Sequence, residues 1–171
     1  GTVSLGGTLD VSAGPGQQAG HVLVTGHQVG LFDAHIQASG GAGGGRVLIG
    51  GGYQGRDPAV PHAQAVYMSA GATIEANARD QGDGGQVVLW ANGSTRAQGQ
   101  VSARGGALGG AGGLIETSGQ WLDVAGLRVD TRAPHGPIGT WLLDPADITI
   151  SSAATTLSLI HISEPTRLRR I

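Results

Sequence analysis

The sequence predicts an all-β chain, folded as a right-handed parallel β-helix of about five coils with one looped insertion. Three observations support this prediction. Glycine accounts for 33 of the 171 residues while only six are aromatic, a composition that argues against a compact layered core. A pair of glycines recurs before short apolar strands. Within the strands, apolar and polar residues alternate, which predicts one face toward an interior and one toward water.

The glycine pairs define the repeat. They precede residues 46–49, 86–89 and 114–117, and a degenerate Ala19-Gly20 pair precedes 21–24. Aligned on the second position (Gly20, Gly45, Gly85 and Gly113), the copies step by 25, 40 and 28 residues. The long step contains residues 50–64, a Gly- and Pro-bearing segment that interrupts the alternation, and removing those fifteen residues restores a step of 25. We therefore expect 50–64 to be an insertion looped out of one coil.

A second short strand follows each copy and ends in small residues. These strands cover 8–13, 35–40, 73–77, 100–105 and 127–131. Alanines at matching points are expected to fit a narrow interior: Ala13, Ala38, Ala76 and Ala103. Glycine is expected at the corners, where the chain turns sharply and often needs positive φ. Strands this short gain stability by stacking on the next coil. A closed barrel or sandwich is the alternative, but its hairpins would call for Asn-Gly or Asp-Gly turns.

Two segments carry a family resemblance. Residues 38–51 read Ala-Ser-Gly-Gly-Ala-Gly-Gly-Gly-Arg-Val-Leu-Ile-Gly-Gly, and residues 139–150 begin Gly-Thr-Trp-Leu-Leu-Asp-Pro. Together they resemble the filamentous-haemagglutinin-type exoproteins of Gram-negative two-partner secretion systems, over roughly residues 1–150. The resemblance implies a fragment that follows the N-terminal secretion domain of a longer parent protein. It also implies passage through the periplasm and an outer-membrane two-partner secretion transporter, followed by secretion or display at the cell surface.

The expected function is therefore the structural shaft of a virulence-associated adhesin, which contacts a host or bacterial cell-surface protein or glycan. We expect no enzymatic activity. Two alternatives remain open: a carbohydrate-active β-helix enzyme, and a ligand-capturing module of the haem-acquisition type. An enzyme would need acids that converge in one groove. The candidate acid pairs are read instead as turn or solvated residues: Asp80 with Asp83, Asp123 with Asp130, and Asp144 with Asp147.

The insertion contains the predicted contact site. Tyr53, Arg56 and Asp57 are the candidate surface-contact residues, because loops on a rigid scaffold commonly carry recognition. No catalytic, cofactor-binding or metal-binding residue is predicted. The histidines lack helical zinc spacing, and the chain has no cysteine. A formal charge of −2 disfavours nucleic acid as a partner. No apolar stretch approaches the roughly 18 residues of a membrane helix, so we expect no membrane insertion.

The predicted organisation has three parts. Residues 1–136 form the β-helix repeats, 137–150 a closing or transition segment, and 151–171 a disordered tail. Residues 157–171 contain no glycine, and their first eleven residues match a translated transposase-end sequencing adapter. We interpret 157–171 as an artefact of sequence assembly and expect the natural sequence to depart from it near Thr156.

Overall fold

The computed structural model describes residues 1–145, which form thirteen β-strands and one short 3₁₀-helix. The strands are β1 (Thr2–Asp10), β2 (His21–Val24), β3 (Gln28–Gln37), β4 (Arg46–Ile49), β5 (Ala65–Met68), β6 (Thr73–Glu75), β7 (Gln86–Trp90), β8 (Ser94–Ala97), β9 (Gly99–Ser102), β10 (Leu114–Gly119), β11 (Trp121–Asp123), β12 (Leu127–Asp130) and β13 (Thr140–Pro145). The 3₁₀-helix covers Tyr53–Gly55, between β4 and β5. No α-helix forms within 1–145.

The strands form two sheets that run side by side along a solenoid. The five-stranded sheet has the order β2-β4-β7-β10-β13, one strand per coil. The eight-stranded sheet stacks β11-β8-β5-β3-β6-β9-β12, and β1 pairs with β3. Every strand pairing within the described residues is parallel. The predicted parallel β-helix of about five coils is confirmed, and the barrel or sandwich alternative is wrong because its hairpins would pair antiparallel.

The strand register reproduces the steps read from the glycine pairs. His21 lies opposite Arg46, Arg46 opposite Gln86, and Gln86 opposite Leu114, which are steps of 25, 40 and 28 residues. Fifteen residues, 50–64, separate β4 from β5, whereas three residues separate β2 from β3 and β7 from β8. The looped insertion therefore takes the place of an ordinary three-residue corner.

The interior of the helix consists of columns of aligned apolar side chains. Val22, Val47, Val87 and Ile115 form one column on the five-stranded sheet, and all four are buried. On the other sheet, Ile36, Ile74 and Val101 form a second buried column. Ala38, Ala76 and Ala103 have no exposed surface, as expected for a narrow interior, and Ala13 at the first coil is half-buried. The β-helix thus has one continuous core.

The glycine pairs are explained by close approach of backbones between coils and not by positive φ. Gly45, Gly85 and Gly113 do not have positive φ. A Cβ added to Gly85 would overlap the carbonyl oxygen of Gly45, and a Cβ on Gly113 would overlap that of Gly85. Positive φ occurs at other glycines of the turns, including Gly50, Gly82 and Gly110. At the pairs, glycine is required because the backbones of successive coils approach too closely for a side chain.

The last described strand, β13, pairs in register with β10, so that Leu114 lies opposite Thr140. It belongs to the segment 137–150 that the sequence predicts to close the helix. Residues 146–150 lie outside the described part of the chain, and so do the predicted disordered tail 151–171 and the adapter match 157–171. The closing role of 137–150 and both interpretations of the tail stay predictions.

Candidate functional site

The insertion, residues 50–64, forms a strap whose two ends meet at the corner between β4 and β5. At its base the Ala63 amide donates to the Gly50 carbonyl at 2.6 Å. The Gly50 amide donates to Val24 at 2.8 Å, and the Gln64 amide donates to His27 at 2.7 Å. Gly50 has a φ of 76°, a left-handed conformation that glycine adopts without penalty. The strap is therefore a compact loop with closed ends, which the preceding coil supports.

The strap packs on the outer face of the five-stranded sheet. Val60 is only 8% exposed and contacts Leu48 and Val88, with Tyr53 and Trp90 at the margin of this cluster. Leu48 and Val88 point outward from β4 and β7, because their chain neighbours line the interior. Both faces of the sheet are thus buried here. This explains why residues 47–49 and 87–89 are continuously apolar instead of alternating.

Trp90 packs against the side of the strap, at the margin of the cluster that the strap covers. Added Cβ atoms at Gly51 and Gly55 would collide with the indole ring, so the strap's backbone lies directly against it. The His62 ring lies on the same indole, with 5.6 Å between ring centroids. The indole Nε1 is buried and has no hydrogen-bond partner among the described residues. Close approach by glycine backbone therefore positions the strap.

Glu116 anchors the middle of the strap from the sheet side. It points outward from β10 in register with Val88, and its residue has no exposed surface. The Gln54 amide donates to both carboxylate oxygens, at 3.1 Å to Oε1 and 3.0 Å to Oε2, and the Ser118 hydroxyl donates to Oε1 at 2.7 Å. Burial raises the pKa of Glu116; the hydrogen bonds from Ser118 and Gln54 oppose this rise, and the charge of Asp144 adds to it.

The predicted contact residues occupy unequal positions on the strap. Arg56 is exposed. Tyr53 is half-buried against the Leu48 cluster. The carboxylate of Asp57, also half-buried, accepts a hydrogen bond from the Ala59 amide at 3.0 Å and so holds a turn. Arg56 is therefore the member of the three that presents the most surface, and the contact role of all three stays a prediction.

Sequence reasoning did not single out Glu116. Its position in the repeat could have indicated its role. When the coils are aligned on the glycine pairs, Glu116 occupies the same position as Leu48 and Val88. Apolar residues at an outward position indicate that something covers that face. An acid in the same column is then a candidate for a buried anchor.

Three of the candidate acids have separate partners. Asp83 accepts a hydrogen bond from the Ala111 amide at 2.7 Å. Asp123 pairs with Arg96 at 3.3 Å, and Asp130 pairs with Arg132 at 2.7 Å. Hydrogen bonds from Arg132 lower the pKa of Asp130. Asp144 is exposed on β13, and Asp147 lies outside the described residues. Asp83, Asp123 and Asp130 thus hold a loop contact and surface ion pairs.

Two negative findings concern residues 1–145. No group of three or more histidine or acidic side chains within that range has an arrangement that could hold a metal ion. The same range contains no helix with the length and apolar character needed to cross a membrane.

Comparisons with known proteins identify a similarity to a solved structure. No protein-family model matches the sequence, and no curated protein matches it. Among solved structures, the chain is similar to the HMW1 secretion domain from Haemophilus influenzae, with a TM-score of 0.65 and 26% sequence identity. The match covers 84% of this chain and 38% of that chain, so this chain spans well under half of its structural neighbour. The chain is therefore similar, over most of its length, to part of a bacterial secretion domain, whereas the sequence resemblance implies a segment that follows such a domain; the place of the chain in its parent protein stays a prediction.

Proposed function

We propose that the chain is a structural shaft segment of a secreted bacterial surface adhesin, exported by two-partner secretion. The observation that carries the proposal is the similarity to a secretion domain over 84% of the chain, at 26% identity. The Gly-Thr-Trp-Leu-Leu-Asp-Pro stretch supports the same assignment by its resemblance to filamentous-haemagglutinin-type exoproteins. Its Trp141 and Leu143 lie on β13, in the five-stranded sheet.

The architecture suits a shaft. Each coil pairs with its neighbours through parallel backbone hydrogen bonds, so the stack lengthens by about 4.8 Å per coil. The coils require aligned apolar columns and glycine pairs, which leaves the outward side chains outside the area covered by the strap free to vary. On this proposal the scaffold presents a contact surface at a distance from the cell. Arg56, with Tyr53 and Asp57 beside it, is the proposed contact on the strap.

The partner in export is proposed to be an outer-membrane two-partner secretion transporter, engaged through an N-terminal domain of the parent protein. The test expresses the parent open reading frame in a Gram-negative host, with and without the transporter gene. We expect the protein outside the cell only when the transporter is present. Equal extracellular amounts in both strains would contradict the proposed route.

Adhesion is tested separately, with cells that display the exported parent. We expect Arg56→Ala to reduce attachment to epithelial or bacterial cells, because it removes the strap's exposed charge. Arg79→Ala is the matched control, since Arg79 is also exposed but lies away from the strap. Unchanged attachment by the Arg56 variant would remove the strap from the adhesive surface. If cells that display the unmodified parent attach no better than cells lacking the parent, the adhesive role itself is refuted.

The two alternatives gain no specific support. Three of the acids that a carbohydrate-active enzyme could use, Asp83, Asp123 and Asp130, are engaged in separate contacts. A ligand-capturing module would use the strap as its contact loop, yet the strap's apolar residues pack inward on the sheet. Neither arrangement favours these functions over the shaft.

A further inference from the structure

A second surface lies on the outer face of the eight-stranded sheet, where residues of successive coils align in one column. Gly30 on β3 lies opposite Tyr67 on β5, Tyr67 lies opposite Arg96 on β8, and Arg96 lies opposite Asp123 on β11. Adjacent members are about 4.8 Å apart, as in any sheet. This column crosses four coils without interruption.

Aromatic rings occupy the first end of the column. Phe32 is 52% exposed, and its ring lies over Gly30, where an added Cβ would approach the ring Cζ to 3.0 Å. The Phe32 and Tyr67 ring centroids are 5.4 Å apart, with the rings tilted by 43°. Glycine is unfavourable inside a strand and often marks a close approach. Gly30 thus makes room for the Phe32 ring beside Tyr67.

A third ring occupies the other end. Trp121 is 56% exposed and precedes Asp123 by two residues, so both side chains project from the same face of β11. Trp121 lies opposite Ser94 on β8, and Ser94 lies opposite Ala65 on β5. Ala65 is two residues before Tyr67 and projects from the same face of β5. The indole is therefore about 10 Å along the helix axis from the Tyr67 coil. We call Phe32, Tyr67, Arg96, Trp121 and Asp123 the ladder face.

Polar groups separate the rings. Arg96 and Asp123 form an ion pair at 3.3 Å, and the Ser94 residue lies half-buried beside them. The exposed apolar surface is thus interrupted, unlike the contiguous patches that dock other proteins. The two charges balance, so the face complements a neutral ligand better than an anionic one. Ring faces carry negative potential that attracts the C–H groups of a sugar ring, while its hydroxyls suit Arg96 and Asp123.

We propose that the ladder face binds a neutral oligosaccharide, with sugar rings on the aromatic side chains at each end and hydroxyls hydrogen-bonded to Arg96 and Asp123. This inference rests on the proposed function, because it identifies the surface and ligand class through which an adhesive shaft would act. It concerns a different face from the strap, which covers the five-stranded sheet.

The test uses the purified full chain and calorimetric titration. The probes are cellohexaose, maltohexaose and hexa-N-acetylchitohexaose, with a hyaluronan hexasaccharide as the anionic comparator. We expect at least one neutral probe to bind with a Kd below about 1 mM, and the anionic probe to bind about tenfold more weakly. Phe32→Ala and Trp121→Ala should each weaken binding by about tenfold. Trp121→Phe, which keeps a ring, should recover most of the loss.

Leu23→Ala is the control, because Leu23 is 54% exposed but lies on the five-stranded sheet. It should leave the Kd unchanged, and circular dichroism should show all variants folded. The proposal is overturned if no neutral probe binds below the stated Kd, or if Leu23→Ala weakens binding as much as Trp121→Ala. It is also overturned if ladder-face variants reduce cell attachment without any glycan binding, since that outcome indicates a protein partner.

Failure here is distinguishable from failure of the proposed function. Titration of the purified chain requires no export, so a parent exported by its transporter but unable to bind glycans refutes only the ladder-face proposal. Conversely, glycan binding by a protein that reaches the cell exterior without the transporter refutes only the secretion route.

Discussion

Replacing Glu116 by alanine tests whether the buried carboxylate holds the strap on the sheet. The Gln54 amide donates to both Glu116 oxygens, and the Ser118 hydroxyl donates to one of them. Removing an acceptor from a buried donor costs about 1–3 kcal/mol. Part of this cost is offset, because Glu116→Ala also removes the free-energy penalty of burying a carboxylate. The same penalty raises the pKa of Glu116. We expect a net loss of about 2 kcal/mol in the free energy of strap opening.

The assay is native-state amide hydrogen exchange of residues 50–64. A loss of about 2 kcal/mol should make the Gln54 amide exchange roughly 30 times faster. Amides in the buried strands β4 and β7 should keep their protection, because the interior columns do not involve Glu116. Glu75→Ala is the control, since Glu75 points outward from β6 on the other sheet. Unchanged exchange at Gln54, or equal acceleration in the control, would refute the anchoring role.

Three further predictions follow from the same structure. Because the pKa of Glu116 is raised above its ordinary value of 4.5, protonated Glu116 stabilises the closed strap more than the carboxylate does; this extra stability is fully present below pH 4.5 and is lost as pH rises through the folded-state pKa. Exchange at Gln54, corrected for its intrinsic rate, should thus show easier opening at higher pH, and a Glu116→Gln variant with the same pH slope would contradict this. Gly85→Ala should lower the free energy of unfolding by about 3 kcal/mol, because its Cβ would overlap the Gly45 carbonyl. Gly14→Ala, with open space around its Cβ, should change it little in the same urea titration, and similar losses in both would count against the close-approach argument. Deleting residues 21–45 removes one 25-residue step and should leave a folded helix about one coil shorter by circular dichroism and X-ray scattering. Deleting only 21–33 breaks the register and should abolish the fold, so equal folding of the two deletions would sink the repeat model.

Much of the fold could be predicted because its determinants are local and repeated. The glycine pairs before β4, β7 and β10 mark the same corner in each coil, and their spacing equals the strand register. The insertion was visible as a step too long for one coil. Its position at 50–64 agrees with the interval between β4 and β5.

The reason for glycine at the pairs could not be predicted. Positive φ is a property of one residue, so it is a natural explanation from sequence. The actual cause at Gly85 is the carbonyl oxygen of Gly45, which is 40 residues earlier in the chain. That approach exists only once the coils are stacked.

The sequence by itself determined the period, the parallel stacking and the location of the strap, because these depend on patterns within about one coil. The tertiary structure alone decided which surface the strap covers. The hydrogen bond from Gln54 to Glu116 joins residues 62 positions apart, and no local pattern specifies such a pair. The same holds for the ladder face. Phe32 and Tyr67 are 35 positions apart in sequence and come together only because β3 and β5 pair in the completed stack. Periodicity encodes the scaffold, whereas a surface is assembled from side chains that only the completed stack brings into contact.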